Sequence, residues 1–260
     1  METLKPIPVL TKAFSRFDDL IGQSSVPDGM RELLDKTAGL ENLEVRGLEG
    51  ETERVLREES VLLVCNHPHD AESIILLGTM PSRKDVSLIA ANNQMRLGPN
   101  MATHILPVYP YRQEQTAKNL KLSVRLAKRF VPYPYSPEEM DRRNQETIAN
   151  AAGKIDQGEC VVLFPEGVSG RSGKWRNGIG YLVQQIKNKK NSYLVMAYVD
   201  GTSDWDPLRV IPGLKKIFQR GSITYALPIE MSSMPLTNDP KELTRRMNEM
   251  YRTWVSSMWK

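Results

Sequence analysis

Val61-Leu62-Leu63-Val64-Cys65 is an apolar run with no polar interruption, and it breaks at once into Asn66-His67-Pro68-His69-Asp70. Continuous apolar residues of strand length, without alternation, fit a strand buried on both faces. Such a strand carries chemistry only where it ends. The fold that accommodates it is α/β, with helices on both faces of the sheet and the ligand site at the strand ends. His67 stands at that end with an ordinary pKa of about 6.5, within reach of neutrality. Glu72 follows five positions later. That spacing lets one turn of chain bring the carboxylate onto the imidazole Nδ1, so that Nε2 becomes the basic nitrogen. A capped turn with an inert histidine would show the same two residues, so the pair alone does not decide the matter.

A second block repeats the design. Cys160-Val161-Val162-Leu163-Phe164 breaks at Pro165-Glu166-Gly167 into a turn rich in glycine and serine that carries Arg171. Turns of this kind present backbone N–H groups and a guanidinium to an anion, with phosphate the obvious candidate. Glu166 has two readings: it binds an acceptor hydroxyl, or it holds its own loop through backbone N–H groups. A hydrolase built on Ser169 fails on context, because Gly167-Val168-Ser169-Gly170-Arg171 lacks the second glycine of a nucleophile elbow.

Together the blocks resemble the glycerolipid acyltransferase superfamily, the lysophosphatidic acid and glycerol-3-phosphate acyltransferases. The likeness lies in Asn66-His67 with an acid five residues on, then Phe164-Pro165-Glu166-Gly167 about a hundred residues later. Leu43 to Gly47 resembles the strand that opens the family domain. Ile105 to Arg112 holds the place of the second block, which ends in arginine, and Ile223 to Ile229 resembles a late strand ending in proline and an aliphatic residue. The resemblance covers residues 40 to 230. Two positions depart from the family pattern: Glu72 stands where the family has Asp, and Tyr193 to Val199 lacks the usual proline.

The resemblance implies an O-acyltransferase. A fatty acyl group would pass from acyl-coenzyme A or acyl carrier protein to a hydroxyl of a glycerol phosphate or lysophospholipid. His67 would be the general base and Glu72 its orienting acid, while Glu166, Gly167, Arg171 and Arg112 would bind substrate. No cofactor and no metal would be needed. The alternative, from a different class, is a lipid- or acyl-binding protein of the same fold with impaired catalysis, supported by Glu72 in place of Asp.

The rest of the chain fits a mixed, largely parallel sheet flanked by helices. Strand-like runs lie at Leu43 to Val45, Val61 to Cys65, Val86 to Ala90, Ile105 to Tyr109, Val161 to Phe164, Tyr193 to Val199 and Ser222 to Ala226. Three parts are expected: a helical segment over 1–40, the α/β domain over 41–235, and an amphipathic helix over 236–260 packed on it. In the first, Phe14, Phe17, Leu20 and Ile21 share one helical face, and Leu33 and Leu34 point inward from a second helix. In the last, Leu243, Met247, Met250, Trp254 and Met258 form the apolar stripe. Helices are also expected over Ala71 to Leu77 and Glu138 to Ile155.

Two features bear on partners. Thr116 to Val131 surrounds Leu122, Leu126 and Phe130 with Lys118, Lys121, Arg125, Lys128 and Arg129, which suits either an anionic membrane surface or a solvated face. Trp205 to Phe218 forms a basic, aromatic insertion with the look of a lid. The formal charge of +4 favours anionic partners but is small for a nucleic-acid binder. Cys65 and Cys160 form no disulfide or metal pattern and read as core residues of a reducing compartment. No run reaches the roughly 18 apolar residues of a spanning helix, and Met1 to Pro8 lacks the apolar core of a secretory signal. The expected location is cytoplasmic, with the inner face of a membrane as a docking surface.

Overall fold

The computed structural model describes residues 17–37, 43–69, 71–109, 135–167, 173–203 and 221–259. Its strands are β1 (Leu43–Arg46), β2 (Ser60–Cys65), β3 (Val86–Ala91), β4 (Ile105–Val108), β5 (Cys160–Leu163), β6 (Ser192–Asp200), β7 (Gly221–Tyr225) and β8 (Ile229–Glu230). They form one sheet in the order β1-β7-β6-β2-β5-β3-β4, with β8 also on β6. β2, β3, β4, β5 and β6 are parallel to their neighbours within that set, whereas β7 runs antiparallel to β6 and β1 parallel to β7. The sheet is therefore mixed and mostly parallel, and every expected strand lies within one residue of its place.

Parallel neighbours cannot be joined by tight hairpins, so crossover segments lie on the faces. The helices are α1 (Val26–Thr37), α2 (Gly50–Glu58), α3 (Glu72–Thr79), the short α4 (Pro99–Thr103), α5 (Pro137–Asp156), α6 (Gly178–Gln185) and α7 (Pro240–Ser257). Alternate residues of β2 serve the two faces. Val61, Leu63 and Cys65 pack with Phe17, Ile21, Met30, Leu34, Val55, Leu56, Leu76 and Leu77, from the helical stretch 17–23 and from α1, α2 and α3. Leu62 and Val64 pack with Ala151, Ile155, Ile179, Leu182, Leu243, Met247 and Tyr251 from α5, α6 and α7. The terminal helical residues described thus cover the two faces of one sheet. α6 and α7 meet backbone to backbone, since a Cβ on Gly180 would lie 1.9 Å from the Pro240 carbonyl oxygen. Phe14, the basic segment at Thr116 to Val131 and the Trp205 insertion lie outside the described residues.

One expectation needs correcting. The late strand does not end at Pro228-Ile229 but resumes there. Tyr225 pairs with Ala197 and Ile229 with Leu194, four residues against three. The extra residue is a bulge at Leu227-Pro228, where proline has no N–H for the ladder and Leu227 turns out to solvent.

The end of the sheet remote from the site is tied by a buried cation. Arg83 donates to the carbonyls of Leu56 (2.9 Å), Glu59 (2.9 Å) and Gly158 (3.2 Å) and pairs through two nitrogens with Asp85. Its side chain is 4% exposed, against 42% for Asp85. Arg83→Met strands buried carbonyls and is expected to cost about 2–4 kcal/mol in urea unfolding. Asp85→Asn, which removes only the half-exposed partner, should cost about 1 kcal/mol or less.

Candidate active site

The ladder between β2 and β6 ends at Cys65 opposite Ala197, and the next rung is made by a side chain. The Asn66 amide donates to the Val199 carbonyl and accepts from the Val199 N–H, both at 2.8 Å. An amide is the one side chain that offers a donor and an acceptor in the manner of a peptide group, so β6 stays paired while the main chain turns away. The Asn66 N–H, freed from the ladder, donates to the Tyr251 hydroxyl of α7 at 3.1 Å, and that hydroxyl donates to the Ala197 carbonyl at 2.8 Å. Burial first, then the Cys65 thiol and the Glu166 carboxyl, push the Tyr251 phenol well above its ordinary value. It therefore remains a donor across the usable pH range.

The turn fixed in this way carries His67. Its Nδ1 lies 3.1 Å from Oε2 of Glu72, the first residue of α3. The imidazole is 20% exposed and the carboxylate 0%. Glu72 also accepts from the His69 N–H, 3.2 Å from each oxygen, and from the Thr202 hydroxyl through Oε1. Burial pushes this carboxyl up, but the hydrogen bonds from His67 and Thr202 and the charge of His67 outweigh it, and the net shift is downward. The position at a helix start acts in the same sense on an anion. The acid is thus ionised at neutral pH although no water reaches it.

The second block lies alongside. β5 is the other neighbour of β2, and the Phe164 ring that follows β5 stacks on His67 with centroids 4.6 Å apart. Phe164 to Gly167 closes as a turn, with the Gly167 N–H donating to the Phe164 carbonyl at 3.0 Å and φ of +62° at Gly167. An L side chain rarely adopts that value. The Arg176 N–H holds the Pro165 carbonyl at 2.8 Å. Glu166 is buried, close enough to raise the Tyr198 hydroxyl after burial and Asp200 have done so.

Of the residues picked from the sequence, His67, Glu72, Glu166 and Gly167 come together at the ends of β2 and β5. Arg112 and Arg171 lie outside the described residues. Sequence reading missed Thr202, Tyr251 and Trp175. Tyr251 follows Leu243 and Met247 at steps of four, so its burial was readable, but not its hydroxyl's partners. Trp175 is buried against Tyr251, with ring centroids 5.2 Å apart. Cys65 and Cys160 are buried free thiols; burial pushes Cys160 up to about 12. Among the described residues no group of three or more His, Cys, Asp or Glu could hold a metal ion, and no helix is long and apolar enough to cross a membrane.

No family model and no curated protein sequence matches the chain. Among solved structures it is similar to the 1-acyl-sn-glycerophosphate (LPA) acyltransferase PlsC from Thermotoga maritima. That match has a TM-score of 0.47 and 14% sequence identity, over 98% of this chain and 84% of that one.

Because the Glu72 pKa is lower in the folded chain than the ordinary 4.5, its contribution to stability is present above about pH 4.5 and is lost as pH falls through the lowered value. Urea titrations of wild type beside Glu72→Gln should show a stability gap that is present above about pH 4.5 and narrows as pH is lowered further. A gap that stays constant over that range would mean that the carboxyl is not ionised in the native state.

Proposed function

We propose that the chain is a glycerolipid-type O-acyltransferase, moving a fatty acyl group from acyl-coenzyme A or acyl carrier protein to a hydroxyl of a glycerol phosphate or lysophospholipid. The observation that carries this reading is the 3.1 Å contact of His67 Nδ1 with a fully buried, ionised Glu72, set beside the Phe164-Pro165-Glu166-Gly167 turn. With Nδ1 engaged by the carboxylate, the basic nitrogen is Nε2. It would take the acceptor's hydroxyl proton as the oxygen attacks the thioester carbonyl, and the imidazolium formed would be stabilised by Glu72. The proton would then pass to the departing thiolate. A general base of this kind is worth about a hundred- to ten-thousandfold.

The Phe164 ring covers one side of the imidazole and helps to exclude water from it. Arg171 and Arg112 would hold the acceptor phosphate, a role that rests on the sequence pattern. The oxyanion donors of this reading are not the N–H groups of Asn66, His69 or Gly167, which donate to Tyr251, Glu72 and Phe164. Pro68 and Pro165 have none to offer. A membrane surface and a cytoplasmic location belong to the same proposal, with the basic Thr116 to Val131 segment as the contact.

The competing reading, a binding protein with impaired catalysis, drew its support from Glu72 in place of Asp. A longer acid out of reach of His67 would favour that reading; the 3.1 Å contact supports the enzyme reading instead.

The test is transfer of a radiolabelled acyl group from acyl-coenzyme A or acyl carrier protein to glycerol phosphates and lysophospholipids. Wild type should transfer, and His67→Ala should lose at least about a hundredfold in kcat. Glu72→Asp pulls the carboxylate back by one methylene from three donors at once, and is expected to lose about a hundredfold as well. A silent wild type beside an active Glu72→Asp would establish the binding protein instead.

A further inference from the structure

We propose that Thr202 is a positioning residue for His67, holding the Glu72 carboxylate in place from the opposite side of the site. Its hydroxyl donates to Oε1 of Glu72, while the imidazole occupies Oε2. The two oxygens are thus engaged by groups from different elements: the turn after β2, and the chain that leaves β6. A carboxylate on the flexible Glu side chain has one more rotatable bond than an Asp. Its plane is fixed here by three donors, His67, the His69 N–H and Thr202.

The delivery of Thr202 is built into the backbone. β6 ends at Asp200, and Gly201 takes φ of +78°, a left-handed turn that glycine adopts without strain. The turn directs the next residue back over the sheet end onto Glu72, 130 positions away in sequence. Asn66 clamps β6 at Val199, three residues earlier, so the origin of the turn is fixed as well. Among the described residues, the titratable and charged groups around the cluster are His67 and His69 in the turn after β2, Cys65 on β2, Glu166 after β5, and Tyr198 and Asp200 on β6.

Thr202 donates a hydrogen bond to the anion. Its removal lets the carboxylate rotate off the imidazole. The imidazolium then loses part of its stabilisation, so the His67 titration midpoint falls, and turnover drops without weaker substrate binding.

The test is NMR titration of the imidazoles, of which the chain has three, in wild type, Thr202→Val, Thr202→Ser and Gly201→Ala. In Thr202→Val the His67 midpoint should fall by about half a pH unit or more. His104, whose Nδ1 is bonded to the Val86 carbonyl at 2.8 Å, should not move and serves as the internal control. Thr202→Ser should restore the wild-type midpoint, and Gly201→Ala, which misdirects the hydroxyl, should reproduce the Val signature. An unchanged or raised His67 midpoint in a folded Thr202→Val protein overturns the proposal, as does failure of Thr202→Ser to restore it.

Only the kinetic half of the test rests on the acyl-transfer reading. There kcat should fall about ten- to a hundredfold in Thr202→Val, with KM within about threefold. A rise in KM with kcat unchanged would count against positioning. The midpoint shift in a protein that transfers no acyl group would uphold Thr202 and defeat acyl transfer.

Discussion

β2 has no side that faces water. Every residue from Ser60 to Cys65 is buried, so the strand at the centre of the molecule carries no charged side chain along its length. Polar chemistry is confined to the point where it stops, and the way it stops decides the rest. The Asn66 amide replaces one peptide unit of the ladder. That substitution lets the main chain depart without leaving Val199 unpaired in the interior, where an orphaned donor and acceptor would cost about 1–3 kcal/mol each. The departing chain is the turn that carries His67.

The same constraint explains what could be read from the chain before its structure. Central strands of a parallel sheet are continuous apolar runs, and the seven runs of that type stand where periodicity put them. β8 escaped because it is two residues long and lies past a proline, where pairing resumes only through a bulge. His67 and Glu72 were legible because five positions is a local spacing that one turn can close. Thr202 and Tyr251 were not, because the atoms they touch are 130 and 185 positions away, and their hydroxyls become specific only when β6 and α7 are packed. Spacing carries no information about such pairs. Glu166 was read as a substrate or loop ligand; its place beside Tyr198 and Tyr251 adds a third consequence, a carboxyl that adds to the burial holding both phenols above their ordinary values.

Glu72 is one methylene longer than the Asp of the motif that the sequence resembles, and its surroundings are set by that length. The acid sits at the first position of α3 and is buried completely. Desolvation alone would neutralise a carboxyl there, and a neutral acid would orient an imidazole weakly. Three donors, one from the imidazole itself, overturn that preference. A fully buried acid thus needs several donors to stay ionised, and the turn at Gly201 supplies one of them.

The last helix belongs to the same construction. α7 follows the final strand and covers apolar surface of the sheet with Leu243 and Met247. Its Tyr251, however, is wedged between Trp175 and Trp254, with ring centroids 5.2 Å and 5.6 Å away, and its hydroxyl bridges the Asn66 N–H to the Ala197 carbonyl. That bridge joins β2 to β6 at the level where the His67 turn begins, on the face opposite α3. The turn is therefore gripped from both layers: Glu72 of α3 holds the imidazole, and Tyr251 of α7 holds the backbone that bears it. A shift of α7 on α6 would be passed to His67 through one hydrogen bond. The backbone contact at Gly180, where no side chain separates the two helices, limits that shift.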